Sequence, residues 1–305
     1  MVSPRTPGSK IQRVGFIGLG IMGRPMASNL IKAGFTVIGY SRTTATREKF
    51  AAVGGEIAAS VADATRNADM VITMLPDTPD VQEVALGQGG VFESAAAGLI
   101  YCDMSTISPV AAREVASTGR QHHIRVLDAP VSGGEAGAVE ASLSIMVGGS
   151  PADMELVKPV LDAMGRTVIH VGSNGAGQTV KAANQLIVAG TIDLVAEAIV
   201  LLEASDGVDV ERALEVMAGG LAGSRVLERK SRTMLARDFR PGFRVDLHHK
   251  DLGIVLSTAR DANVVVPLTA VVAQMMMALR ANGEGSLDHT ALLKVVERLS
   301  GRSAT

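Results

Sequence analysis

The fold is decided by Val14-Gly15-Phe16-Ile17-Gly18-Leu19-Gly20-Ile21-Met22-Gly23, a short apolar run closing on three glycines spaced G-x-G-x-x-G. Pro25 to Ala33 follows with helix-forming composition and stops at Gly34. A strand that turns through this spacing into a helix is the context a dinucleotide-binding loop requires. Gly18 suits the tight turn, Gly20 lets a pyrophosphate approach the backbone, and Gly23 permits close packing of helix on strand. The helix N-terminus adds unpaired N–H groups and a partial positive charge for phosphate oxygens. Gly18, Leu19, Gly20, Ile21, Met22 and Gly23 are therefore the first cofactor-binding candidates.

Outward from this loop, the next strand is Phe35–Tyr40, followed by Ser41-Arg42-Thr43. An acid at this strand end binds the ribose 2′-hydroxyl of NAD, whereas an arginine suits the 2′-phosphate of NADP. No acid occurs between Phe35 and Arg47. Ser41, Arg42 and Thr43 offer a guanidinium fork and hydroxyl donors, so NADP is the favoured cofactor and NAD remains open. Apolar runs at 70–75, 99–104, 125–130, 143–147 and 167–171 then alternate with helical stretches at 45–53, 80–86, 108–119 and 151–164. This alternation predicts an α/β, Rossmann-like doubly wound parallel sheet with ligands at the carboxyl ends of its strands. Leu75-Pro76 and Ser105-Thr106 lie at two such ends and are candidates for the nicotinamide side. Asp128-Ala129-Pro130-Val131-Ser132-Gly133-Gly134 follows another strand. Its uncovered backbone N–H groups and the Ser132 hydroxyl suit a small carboxylate or hydroxy acid, or simply a turn.

After Gly172 the strand pattern ends. Helices are expected at 178–205, 209–217, 224–236, 245–262, 268–281 and 288–299. The boundaries read as a loose leader at 1–10, a NAD(P)-binding domain at 11–173 and an all-α substrate and oligomerisation domain at 174–305. The second domain opens on Gly175-Ala176-Gly177-Gln178-Thr179-Val180-Lys181-Ala182-Ala183-Asn184-Gln185, the start of a helix apolar almost all round and therefore buried. Lys181 in its first turns either snorkels or pairs with a carboxylate, or else stands in a cleft to donate a proton, with Asn184 on the same face to orient a substrate. Asp246 and Lys250, four apart, read as an intrahelical ion pair.

The 305 residues suggest two domains, and 47% hydrophobic with 20% charged residues supplies ample core. A net charge of −2 leaves no electrostatic footprint for nucleic acid or a membrane surface. The single cysteine, Cys102, cannot form an intrachain disulfide, and no charge-free apolar run reaches bilayer length, so a cytoplasmic location is expected. There is no H-E-x-x-H, C-x-x-C, P-loop or nucleophile elbow, and the pairs His122-His123 and His248-His249 would diverge on a helix, so no metal is expected.

Together, Gly15–Met26, Asp128–Gly134, Gly175–Gln185 and Lys250-Asp251-Leu252 resemble, in this order, the β-hydroxyacid dehydrogenase family. The resemblance implies an oligomeric NAD(P)-dependent enzyme, a homodimer or homotetramer, acting on small semialdehydes or β-hydroxy acids. It implies that Lys181 is the catalytic acid/base, that Asn184 orients the substrate, and that Ser132, Gly133 and Gly134 contact it. Thr106 and Lys250 would contact the cofactor. Gly219–Ser224 and Arg240–His248 look most like members that reduce tartronate semialdehyde (2-hydroxy-3-oxopropionate) to glycerate. Members that act as 3-hydroxyisobutyrate dehydrogenases, on methylmalonate semialdehyde, or as glyoxylate or succinic semialdehyde reductases are the alternative; a non-catalytic dinucleotide-binding scaffold is the alternative of another class.

Overall fold

The computed structural model describes residues 10–302, so the leader expected at 1–10 lies, but for Lys10, outside the described residues. The chain forms two compact units, the first ending at Lys181 and the second beginning at Ala182. In the first, strands β1 (Arg13–Ile17) and β2 (Thr36–Tyr40) flank helix α1 (Gly23–Lys32). Then come α2 (Thr44–Ala51), β3 (Glu56–Ile57), α3 (Val61–Thr65), β4 (Met70–Thr73), α4 (Thr78–Leu86) and α5 (Val91–Ser94). The unit continues with β5 (Ile100–Asp103), α6 (Pro109–Gln121), β6 (Arg125–Asp128), β7 (Val131–Ser132), α7 (Gly134–Val139), β8 (Leu143–Gly148), α8 (Pro151–Asp162) and β9 (Gly165–Gly172).

The strands form one nine-stranded sheet in the order β3-β2-β1-β4-β5-β6-β8-β7, with β9 beside β8. From β3 to β6 every pairing is parallel, the Rossmann arrangement. The sheet is not parallel throughout, as the alternation had suggested, because β8 runs antiparallel to β6 and β7. Between β7 and β8 the chain holds only the six-residue α7, too little for a crossover that would restore the direction. The two-residue β3 and β7 and the short α3, α5 and α7 fall in stretches left as loops by the sequence pattern.

Side chains alternate along the strands. Phe16, Ile72, Cys102 and Leu127 enter one apolar layer with Met26, Leu30 and Val147, whereas Ile17, Val71 and Tyr101 enter the opposite layer with Phe92 and Val115. Between them, at the carboxyl ends of β4 and β5, Thr73 Oγ1 donates to Asp103 Oδ1 at 2.8 Å and lies 2.8 Å from the Tyr101 hydroxyl. The other carboxylate oxygen of Asp103 is buried with no hydrogen-bond partner.

The second unit is helical. Helix α9 (Ala176–Glu203) runs 28 residues and carries the chain into it, followed by α10 (Val210–Ala218), α11 (Arg225–Leu235), α12 (Val245–Asp261), α13 (Pro267–Ala281) and, after a 3₁₀ turn at His289–Ala291, α14 (Leu292–Leu299). Asp209 and Ser224 accept from Arg212 and Leu227 N–H to cap α10 and α11. By length and composition α9 alone among the described helices could cross a bilayer, yet Ala189, Ile192, Ala196 and Ile199 are buried in a core shared with Leu252, Val272, Met276 and Leu292. It is the core helix of this unit. Of Met275-Met276-Met277 in α13, Met276 is buried and Met277 is exposed.

Burial pushes the Asp103 carboxyl from 3.8 up to about 6, against the pull of hydrogen bonds from Ser105 and Thr73. The folded state therefore keeps a proton that the unfolded chain releases at lower pH. The resulting stabilisation is complete below about pH 4 and is lost as pH rises through about 6, a change of roughly 3 kcal/mol. Urea unfolding should show the wild type losing roughly 2–3 kcal/mol relative to Asp103→Asn between pH 4 and 7. A pH-independent difference would mean the carboxyl is already ionised in the fold.

Candidate active site

Register places the predicted loops in a row. Ile17 pairs with Tyr40 and with Thr73, Thr73 with Asp103, and Asp103 with Asp128. The chain segments after β1, β2, β4, β5 and β6 thus leave one carboxyl edge, where ligands of such sheets bind.

Gly18 and Gly23 behave as their spacing predicts. Gly18 has φ +101°, and a Cβ there would lie 2.3 Å from the Met74 carbonyl oxygen. At Gly23 a Cβ would meet the Gly18 carbonyl at 1.9 Å, so α1 can sit this close to β1 only through glycine. At Gly20 a Cβ would meet nothing within 4 Å. Neither fold nor packing needs glycine there. No side chain caps α1 at Met22. Leu19 is buried in the core, so its side chain is structural, while Ile21 is exposed at the loop tip.

After β2, Arg42 is 79% exposed at its side chain and lies 3.8 Å from Asp80. Sequence reasoning passed over Arg47, whose guanidinium donates to the Ser41 carbonyl at 3.1 Å and to Thr44 Oγ1 at 3.1 Å. Arg47 thereby shapes the Ser41–Thr43 loop; its signal was a second arginine one turn into the following helix. Leu75 N–H donates to Ser105 Oγ at 2.8 Å, which ties the β4 and β5 loops together. Ser105 is fully buried and structural, leaving exposed Pro76 and half-buried Leu75 and Thr106 as the lining candidates.

The end of β6 carries a residue whose part the sequence pattern does not reveal. Asp128 Oδ1 accepts from Gly175 N–H at 2.7 Å and Oδ2 from Gln178 N–H at 3.0 Å, so this carboxylate holds the start of α9. Burial raises the Asp128 pKa although several backbone N–H groups favour the charge. Gln178 completes the attachment, accepting from Ile107 N–H at 3.1 Å and donating to the Ser105 carbonyl at 2.8 Å. These bonds put the first turns of α9 in the first unit and explain why the compact units divide after Lys181 and not at 173/174. Lys181, the next turn along, is 6% exposed. At the end of β7, Ser132 is half-buried, and Gly133 (φ +143°) and Gly134 (φ +63°) are exposed. A Cβ at Gly134 would meet nothing within 4 Å.

In the second unit, Asn184 Nδ2 donates to Gln185 Oε1 at 2.8 Å, and Gln185 Nε2 donates to Asp251 Oδ2 at 2.5 Å. Lys250 Nζ stands 3.0 Å from Asp251 Oδ1 as an ion pair lacking hydrogen-bond alignment. The expected pair of Asp246 with Lys250 does not form: Asp246 instead accepts from Arg280 of α13 at 2.7 Å. A partner on a packed neighbouring helix outcompetes the local one. Among the described residues no group of three or more His, Cys, Asp or Glu is placed to hold a metal ion.

Residues 13–172 match the NAD binding domain of 6-phosphogluconate dehydrogenase, and residues 175–296 match the NAD-binding domain of NADP-dependent 3-hydroxyisobutyrate dehydrogenase. The chain is 41% identical to 2-hydroxy-3-oxopropionate reductase of Escherichia coli over 94% of its length and 98% of that protein's. It is 37% identical to 2-(hydroxymethyl)glutarate dehydrogenase of Eubacterium barkeri, over 96% and 97%. The structure resembles 3-hydroxyisobutyrate dehydrogenase of Mycobacterium tuberculosis solved with L-serine, with TM-score 0.84 and 33% identity over 94% of this chain and 99% of that one. The chain belongs to the 3-hydroxyisobutyrate dehydrogenase family of NAD(P)-dependent dehydrogenases of 3-hydroxy acids, and NAD(P) is its cofactor.

The two loop glycines separate fold from ligand. Gly20→Ala should leave the melting temperature within about a degree of wild type while weakening cofactor binding roughly tenfold or more. Gly23→Ala should lower the melting temperature by several degrees, on the order of 2 kcal/mol of overpacking. Calorimetry and cofactor titration read the two effects; a melting loss at Gly20 equal to that at Gly23 would remove the ligand reading of Gly20.

Proposed function

We propose that this chain reduces tartronate semialdehyde to glycerate with NADPH. The observation that carries the reading is Lys181, a buried ammonium on a helix whose start is bonded to Asp128 at the end of β6, the strand that leads through β7 into Ser132, Gly133 and Gly134. The residues at 18–23 would hold the pyrophosphate, and Ser41, Arg42 and Thr43 the adenosine 2′-phosphate, with Leu75, Pro76, Thr106 and Lys250 contributing further contacts. When bound, the reduced nicotinamide supplies the hydride that reaches the aldehyde carbon. As the C=O π pair moves onto oxygen, Lys181 delivers a proton there, leaving an alcohol and a neutral amine; in reverse, the amine takes that proton back. The N–H groups of Gly133 and Gly134 and the Ser132 hydroxyl anchor the substrate carboxylate, and Asn184 orients the molecule, which restricts the carbonyl to one approach. Such proton transfer is worth roughly 10²–10⁴ in rate. The high identity to 2-hydroxy-3-oxopropionate reductase along nearly the whole chain supports this substrate over other semialdehydes.

Lys181→Ala should lower kcat by roughly 10²–10⁴ with cofactor affinity within about threefold of wild type. Initial rates on tartronate, methylmalonate and succinic semialdehydes and glyoxylate, with each nicotinamide, check the substrate. Near-normal turnover in the variant, or a preference for another semialdehyde, would overturn the assignment concerned.

We further propose that the chain is a homo-oligomer joined along α9. Val180, Ile187, Leu194 and Leu201 are exposed at seven-residue spacing on this helix. The stripe is symmetric about Gly190–Thr191, so an antiparallel copy would set Ile187 against Leu194 and Val180 against Leu201, as a two-fold interface requires. Leu268, exposed and close to Gly190, widens the stripe at its centre. Sedimentation should show a dimer or tetramer, and Leu194→Glu should shift it towards a folded monomer; a monomeric wild type would refute the interface.

A further inference from the structure

Gln185 lies beside the residue assigned to orient the substrate and is gripped twice by α12. Its side-chain Nε2 donates to Asp251 Oδ2 at 2.5 Å, and its backbone carbonyl oxygen lies 3.3 Å from His248 Nε2. His248 is fully buried, and its Nδ1 lies 2.9 Å from His289 Nδ1. Both grips come from the same turn of α12, three residues apart, so the Gln185 amide is held at its main chain and at its tip.

The chemistry at that tip has a direction. An ionised carboxylate only accepts hydrogen bonds, so Asp251 selects the NH₂ end of the Gln185 amide. The opposite end, Oε1, must then be met by a donor, and Asn184 Nδ2 meets it at 2.8 Å. The polarity passes along the chain: Asp251 fixes Gln185, and Gln185 fixes Asn184 with its NH₂ group inward. Asn184 Oδ1 is thereby turned outward as an acceptor. The Lys250 ammonium, 3.0 Å from Asp251 Oδ1, completes the order at its far end.

We infer that Gln185 and Asp251 are positioning residues that lock the Asn184 amide so that its carbonyl accepts a hydrogen bond from the hydroxyl on the carbon between the aldehyde and the carboxylate of the substrate. This rests on the proposed assignment of Asn184 to a semialdehyde substrate. It makes the acceptor a specificity device, because a site built to bond a hydroxyl penalises an analogue that leaves the acceptor unpaired. Malonate semialdehyde, which carries hydrogen in place of that hydroxyl, is the probe.

The test is the ratio of kcat/KM for tartronate semialdehyde over malonate semialdehyde, in which changes in cofactor binding and general damage cancel. In Asp251→Asn, the Lys250 ammonium draws the new amide's oxygen and leaves its NH₂ facing Gln185. The Gln185 amide then reverses, and Asn184 reverses with it. The ratio should fall by roughly tenfold or more, the worth of one hydrogen bond to an acceptor now turned away. Adding Gln185→Glu restores an acceptor towards both neighbours with total charge unchanged, and the ratio should return to within about threefold of wild type. A ratio that is unmoved in Asp251→Asn, or that stays depressed in a folded double variant, overturns the lock. A structural role alone would lower both substrates together and would not be rescued. The order itself is read independently by the side-chain amide resonances of Gln185 and Asn184, each expected to show one proton protected from solvent exchange in wild type. If wild type turns over neither substrate but shows this protection, the substrate reading fails and the amide order stands; freely exchanging amides refute the lock whatever the activity.

Discussion

The carboxylate of Asp128 is where the sheet takes hold of the helix that carries the proposed chemistry. Four N–H groups at the start of any helix lack partners within it, and a buried start is costly unless something meets them. Here Asp128, at the end of β6, receives the Gly175 and Gln178 N–H groups, and Gln178 is itself stitched to the loop after β5. The space is so tight that a Cβ at Gly177 would lie 2.4 Å from the Met146 carbonyl and one at Gly148 2.6 Å from Asp128 Oδ1. Two glycines and one acid therefore fix how closely the start of α9 approaches the sheet. Burial disfavours that charge, yet removing it would orphan two N–H groups at about 1–3 kcal/mol each.

The sequence made the alternating half legible because each strand and helix there obeys a local rule. Gly18 and Gly23 after β1 play two different physical parts, a left-handed turn and a close helix contact, and those parts follow from their spacing. What stayed hidden depends on contacts between distant residues. Asp128 reads locally as the first residue of a substrate loop, and only the fold shows it serving α9 forty-seven residues later. Asp246 has Lys250 at ideal helical spacing, yet packing of α12 against α13 brings Arg280 to it. The reversal of β8 was invisible for a related reason: apolar runs do not encode direction, and the brief α7 that decides it has too little periodicity to be read.

The buried polar groups fall into two kinds. Asp128, Gln178 and Gln185 are satisfied by specific partners and join segments far apart in sequence, and Asp251 bonds Gln185 through one oxygen while its other oxygen faces the Lys250 ammonium. Asp103 keeps one oxygen without a partner and compensates by holding its proton more tightly. The first kind gives directional attachment with two-ended groups, since an amide placed between a carboxylate and another amide has only one acceptable orientation. In the first unit such attachments hold the start of α9 at Gly175 and Gln178, and in the second unit they hold Gln185.

Exposure of the loop after β2 has an evolutionary corollary. Its guanidinium at Arg42 projects into water and takes no part in the core, while Arg47 braces the main chain from below. Exchange of residue 42 therefore leaves packing nearly untouched, so on the proposed reading of Arg42 a lineage can change its nicotinamide preference without first acquiring spare stability. Gly18 and Gly23, locked by neighbouring carbonyls, have no such latitude.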